Sequence, residues 1–145
     1  MLGIILTGHG SFATGLYEAA TQIIGQQMQF TAINFQDGMS SEQLEQRLNI
    51  ALKQCDTGQG VVFLTDIVGG SPFRLAAMLS YQNNNIEVIS GTNMPLLLEI
   101  LLQREDIDLP TIRQETIENG KKTITSLWHE HQKKSPLDEV CSDGI

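Results

Sequence analysis

Basic residues are scarce in this chain. Nine lysines and arginines face 17 aspartates and glutamates over 145 residues, for a formal net charge of −8. A nucleic-acid partner is excluded as the first expectation, because a phosphate backbone rewards a basic surface. An acidic surface suits a basic protein partner, or simply keeps a protein in solution. Long hydrophobic runs are absent too. No stretch reaches the ~18 apolar residues of a membrane span. The apolar "LGIIL" at 2–6 follows no basic segment and is too short for a signal-peptide core, so a cytoplasmic location is expected. Cysteine is rare. Cys55 and Cys141 lie far apart and lack metal-ligand spacing, which reads as a reduced compartment. Neither a metal nor a cofactor is expected.

What is present is a regular alternation. Leu2 to Leu6 reads as a buried strand. From Phe12 the period becomes helical, with Leu16, Ala20, Ile23 and Ile24 on one face and Gly25 as the stop. Phe30 to Phe35 reads as a second strand. Ser40 and Gln43 make a capping box for a helix buried through Leu44, Leu48, Ala51, Leu52 and Cys55. "GVVFLT" at 60–65 is a third strand. Ser71 and Pro72 signal a helix start, with Ser71 as the cap. Ile86 to Ser90 is a fourth strand, Pro95 opens a helix to about Arg104 whose Leu96–Leu102 stripe is core, and a last helix covers Thr111 to Asn119, closed by Gly120. Thr123 to Trp128 has a weak strand pattern. Residues 1–128 are expected to form one domain, and 129–145 a polar, mobile tail that contains His129 and His131 as solvated side chains.

Alternating strands and helices predict an α/β fold of three layers, a mostly parallel sheet between helices with right-handed crossovers. Reactive groups in such sheets gather outside the carboxyl ends of the strands, where the strand order reverses. For the common order 2-1-3-4 that point lies between strands one and three. Strand one runs into His9, in "LTGHGSFATG". Strand three runs into Asp66, in "TDIVGGSPF". Neighbouring strands are ~4.8 Å apart, so the two side chains are within reach. A carboxylate on Nδ1–H would fix the tautomer and expose the Nε2 lone pair, which makes a histidine a nucleophile. Gly8 and Gly10 would keep the approach to the ring open, and the helix start after Gly69 and Gly70 offers unpaired N–H groups to a phosphate.

Each part has a plainer reading. Asp66 could cap a turn, Gly69-Gly70 could be only a loop, and Ser71-Pro72 only a cap. Asn93 in "GTNMP" reads as a cap that borders the same edge. "GHGSFA" also fits the dinucleotide fingerprint G-x-G-x-x-A. That motif needs an acidic residue ending the second strand, and Asp37 comes too late. A phosphohistidine hydrolase wants arginine before the histidine, where this chain has Gly8. A small metal chelatase wants a second histidine in the core.

"TGHGSFATG", "DIVGGSPF" and "EVISGTNMPLLLE" together resemble the IIA domain of the mannose family of the bacterial sugar phosphotransferase system, over about Leu2 to Trp128. The resemblance implies a phosphoryl carrier, in which His9 takes a phosphoryl group from the phosphocarrier protein HPr and passes it to a IIB component. It implies that Asp66 orients the imidazole, and that Ser71 helps hold the phosphate with the nearby amides of Gly70 and Gly10. It implies a sheet of order 2-1-3-4 with a final antiparallel strand, here Thr123 to Trp128, exchanged across a homodimer. Ile67 and Val68 depart from the residues usual after the aspartate. No IIB domain follows in this chain, so a separate IIB polypeptide is expected, with indirect association to membrane IIC and IID components. A subunit feeding dihydroxyacetone kinase, or a regulatory domain, would use the same His9. A IIA domain never meets the sugar, so the sugar is not encoded here.

Overall fold

The computed structural model describes residues 1–133. Its sheet has four parallel strands, β1 (Gly3–His9), β2 (Phe30–Phe35), β3 (Val61–Thr65) and β4 (Ile86–Ile89), in the order β2-β1-β3-β4. This is the predicted order, with its reversal between β1 and β3. In β1, Ile4 and Leu6 face one way and Ile5 the other, as the period of two requires. Ile4 and Leu6 join Val62, Leu64 and Ile89 in one buried cluster, while Ile5 joins Val61, Phe63 and Ile86 in another. Both faces are therefore apolar, which is why the central strands read as unbroken hydrophobic runs.

Helices cover both faces. α1 (Phe12–Ile24) and α4 (Met94–Gln103) pack on the first cluster, α2 (Ser41–Cys55) and α3 (Ser71–Ser80) on the second. The α2 capping box is present, with Ser40 Oγ accepting from Gln43 N–H and the Gln43 side chain accepting from Ser40 N–H. Asn93 caps α4 through Leu96 N–H at 3.0 Å. Its side-chain amide also donates to Thr123 Oγ1 at 3.2 Å, which ties the start of α4 to the chain beyond the last core helix. Along α4, Leu96, Leu97, Ile100 and Leu101 are buried, whereas Leu102 is exposed.

The last core helix is one continuous run. It consists of α5 (Leu109–Thr111), a π-helical turn (Ile112–Thr116) and α6 (Ile117–Lys121). Gly120 lies inside it and is no terminator. A Cβ there would sit 3.2 Å from Leu96 Cδ1, so this glycine lets the helix lie close against α4.

The sequence expectation fails at Thr123 to Trp128. Among the described residues there is no antiparallel strand. Residues 123–126 form no regular element, and α7 (Leu127–Lys133) follows. Two local forces explain this. Ser126 Oγ accepts the His129 N–H at 3.1 Å and its carbonyl accepts the Glu130 N–H at 3.0 Å, a helix start. A strand would need a neighbour for its backbone groups, and in the single chain Ile124, Leu127 and Trp128 all remain exposed. The expected mobile tail begins within α7, and the rest of it, with Cys141, lies outside the described residues. Cys55 is a free, buried thiol. Among the described residues no helix is long and apolar enough to cross a membrane.

Candidate functional site

The register of β1 and β3 builds the site. Thr7 pairs with Thr65, so Gly8 lies opposite Asp66 one step further on. Because Gly8 has no side chain, the Asp66 carboxylate can lean across it. A Cβ on Gly8 would come within 3.0 Å of Asp66 Cγ and 2.4 Å of Phe12 Cδ1. Asp66 thereby reaches His9 twice with one oxygen. Oδ2 accepts the His9 backbone N–H at 2.8 Å and lies 2.7 Å from His9 Nδ1. Oδ1 accepts the Ile67 N–H at 2.8 Å.

Burial works against the Asp66 carboxylate and pushes its pKa up, but the hydrogen bonds from His9 N–H, the His9 ring and Ile67 N–H outweigh it and hold the pKa below the ordinary aspartate value. Asp66 is therefore ionised at neutral pH and only accepts hydrogen bonds. His9 supplies the proton from Nδ1, and in the neutral ring that leaves the lone pair on Nε2. The His9 side chain is 46% exposed and that of Asp66 only 14%. The ring is held at its back and open at its front.

β2 props the other side of the ring. His9 pairs with Phe35, the last residue of β2, and the two rings meet edge to face with centroids 5.8 Å apart. The Phe35 carbonyl accepts the Gly10 N–H at 2.9 Å. Sequence reasoning missed Phe35 because β1–β2 register was not assigned residue by residue. Once Phe30–Phe35 is a strand parallel to β1, the residue opposite His9 is its last one.

The third wall is the start of α3. A Cβ on Gly70 would lie 2.8 Å from His9 Cε1 and 3.5 Å from Nε2. Gly70 is thus the glycine that makes room for the imidazole. The reading of Gly8 as keeping the ring accessible is corrected: Gly8 gives way to Asp66 and Phe12. Gly10 has φ +57° with nothing near a Cβ, so it serves a left-handed turn that other residues resist. Its amide is bound to Phe35, which removes it from the expected phosphate cradle.

Ser71 also differs from expectation. The N-cap of α3 is Gly70, and Ser71 is the first helical residue with no capping hydrogen bond from a side chain. Other helix starts are covered. Asn34 accepts from Thr14 N–H in α1, and Ser40, Asn93, Asp108 and Ser126 serve α2, α4, α5 and α7. At α3 the N–H groups of Gly70 and Ser71 donate to no acceptor among the described residues, beside the Nε2 face of His9. The positive end of a ten-residue helix thus abuts the open side of the His9 ring. Asn93 remains at its own helix cap. His129, on exposed α7, lies near Ser126 Oγ through Nδ1.

Known proteins of similar sequence and fold identify the family. A family model described as "PTS system fructose IIA component" matches residues 3–117. A phosphotransferase enzyme IIA component of Escherichia coli K12, YadI, is 38% identical over 137 residues, 94% of each chain. The fructose-specific EIIA component of Bacillus subtilis 168 is 34% identical over 109 residues, 75% of each chain. The mannose-specific EIIAB component of Escherichia coli K12 is 35% identical over 127 residues, 85% of this chain but 39% of that longer protein. Among solved structures, a phosphotransferase system component EIIA from Streptococcus agalactiae superposes with a TM-score of 0.81 at 29% identity, covering 89% of this chain and 99% of that one.

Proposed function

This chain belongs to the fructose/mannose-type IIA family of the sugar phosphotransferase system and is a phosphoryl carrier of sugar uptake; from that premise we propose that His9 is the residue that carries the group and Asp66 the residue that orients it. One observation carries the reading. His9 Nδ1 is 2.7 Å from an ionised carboxylate while the ring is exposed on its other side, at the point where the strand order reverses.

The step follows from that geometry. The Nε2 lone pair attacks phosphorus and an N–P bond forms. The bond from phosphorus to the donor's side chain breaks, and its electron pair stays on the donor. His9 keeps its Nδ1 proton, so the phosphorylated ring becomes cationic. Asp66 stabilises that charge, as the aspartate of a catalytic triad stabilises imidazolium. Return of the lone pair to Nε2 on transfer reverses each of these changes. Ser71 and the amide of Gly70 lie where they can donate to the phosphoryl oxygens. The donor is HPr and the acceptor a IIB component, each docking over the exposed Ile67 and Val68 next to Asp66. The carrier, residues 1–128, works in the cytoplasm as a protein-histidine phosphotransferase component. No step calls for a metal or cofactor.

The test is incubation of the full chain with phosphorylated HPr, read by intact mass. One phosphoryl group is expected, labile to acid and stable to alkali as a phosphoramidate is. Uptake by a His9→Gln chain would refute the assignment.

A homodimer belongs to the same proposal. Ile124, Leu127 and Trp128 are exposed within five residues of one another, and a second copy is the occupant the family resemblance implies. Sedimentation at micromolar concentration should give a dimer that Trp128→Ser with Leu127→Ser weakens. A monomeric wild type would end the idea.

A further inference from the structure

Arg74 is the unexplained charge beside the site. It stands one turn into α3, and its backbone N–H donates to the Gly70 carbonyl at 2.9 Å, the residue that lies against the His9 ring. Helical side chains lean toward the N-terminus. Arg74 does so, and its Nη2 donates to Ser71 Oγ at 3.3 Å. That brings a cation to the positive end of a helix whose first turn contains no acidic residue. Such a placement is unfavourable on its own. Among the described residues Arg74 has no carboxylate partner, although the chain carries 17 acidic residues. The cation is held where an anion is due and only a serine hydroxyl is present.

Hydroxyl chemistry then decides what Arg74 does there. Ser71 Oγ has one proton to give and two lone pairs to receive with. It caps nothing. Arg74 donates into one lone pair, so the hydroxyl proton is left for an acceptor outside the helix. The geometry points to Arg74 as a positioning residue that acts through Ser71: the guanidinium fixes and polarises the hydroxyl so that it donates to the phosphoryl group on His9. The inference rests on His9 being the acceptor and adds a residue that the phosphoryl-carrier reading leaves without a role. Arg74 is exposed, and apart from Ser71 its side chain has no hydrogen bond or ion pair among the described residues, so its removal should leave the fold alone.

A double-mutant cycle on the full chain tests it, with phosphorylated HPr as donor and the initial rate of phosphoryl uptake as readout. Arg74→Ala is expected to slow uptake about tenfold, the size of one charged hydrogen bond. In a Ser71→Ala background the same change should have little further effect, since coupled residues are not additive. Arg74→Lys should restore most of the rate, and Arg74→Gln less. Melting temperature should stay at the wild-type value in all of them. An equal slowing with and without Ser71 would mean that Arg74 meets the partner protein directly, and would overturn the inference. So would an unchanged rate in Arg74→Ala. If the wild type takes up nothing at His9, the carrier assignment itself fails, an outcome separate from either of these.

Discussion

The two ends of the sheet handle polar groups in opposite ways. At the amino end, Arg104 is 3% exposed yet forms no ion pair among the described residues. Burial pulls its pKa down, with the nearby Cys55 and Glu105 opposing that. Its donors go to backbone carbonyls: Leu2 at 3.3 Å, Gln29 at 3.1 Å, and Met28. Gln29 itself is held at φ +50°, and its side chain donates to the Cys55 carbonyl at 2.9 Å. Three segments are thereby stitched together and the end is closed. At the carboxyl end, the His9–Asp66 pair is satisfied on one side only. Among the described residues His9 Nε2 has no hydrogen-bond partner, and the Ser71 hydroxyl and the amides of Gly70 and Ser71 donate to no acceptor. The proposed chemistry lies at the open end, away from the one that Arg104 closes.

The sharpest test of that contrast is the proposed nucleophile. His9→Gln should abolish phosphoryl uptake from HPr and leave the melting temperature close to wild type, because the ring is half exposed. Unfolding of this variant would mean that the open end is structural after all.

Asp66 comes next. Asp66→Asn replaces the acceptor-only carboxylate proposed to fix the tautomer with an amide that can also donate, and comparable changes in triads cost ~10⁴ in rate. Rate measurements with phosphorylated HPr should show a drop of at least about a hundredfold. Stability should fall as well, by about 1–3 kcal/mol, since a partly buried acceptor of three hydrogen bonds is altered. The sign with pH follows from the lowered pKa. A carboxyl whose folded pKa is depressed adds stability above its unfolded value of about 3.9 and loses it as pH falls through the folded value. The gap in melting temperature between wild type and Asp66→Asn should be constant above about pH 5 and close below about pH 4. A gap that widened in acid would contradict an ionised Asp66.

Arg104 tests the closed end. Arg104→Met should cost about 3 kcal/mol in denaturant titration, because buried carbonyls lose their donor. Phosphoryl uptake by the remaining folded protein should match wild type. A stable variant would show that water satisfies those carbonyls without the guanidinium.

The open end was the more legible of the two in the sequence. His9 and Asp66 close strands whose apolar runs are unmistakable, and strand order brings them together without any knowledge of side-chain packing. Arg104 gave no signal, because a lone arginine after an apolar helix looks like any solvated charge; only the meeting of Leu2, Met28 and Gln29 around it reveals its work. Ser71 was misread as a cap because Gly70 can take that position with no side chain at all. Thr123 to Trp128 was misread because weak alternation cannot outvote a serine that starts a helix. The family resemblance named the phosphate cradle but could not show that the Gly10 amide is already spent on Phe35.

The smallest expected effects separate two glycines that look alike in the sequence. At Gly10, φ is +57° and a Cβ would meet nothing. Gly10→Ala should therefore cost about 1 kcal/mol of stability for the left-handed backbone, and Gly10→Asn less, since asparagine tolerates that region. Neither should change the uptake rate per folded molecule. At Gly70 the backbone is extended, with φ −73° and ψ 166°, which any residue adopts. There a Cβ would press on His9 Cε1 at 2.8 Å. Gly70→Ala should hardly move the melting temperature, because the half-exposed ring can tilt away, but the tilt shifts Nε2 from its line of attack and should slow uptake several-fold, as misplacement of a reacting atom does. Uptake rates and thermal melts on the three variants decide the matter. Should Gly10→Ala slow uptake without loss of stability, room for the donor protein is what that glycine provides, and the open end is wider than the ring alone.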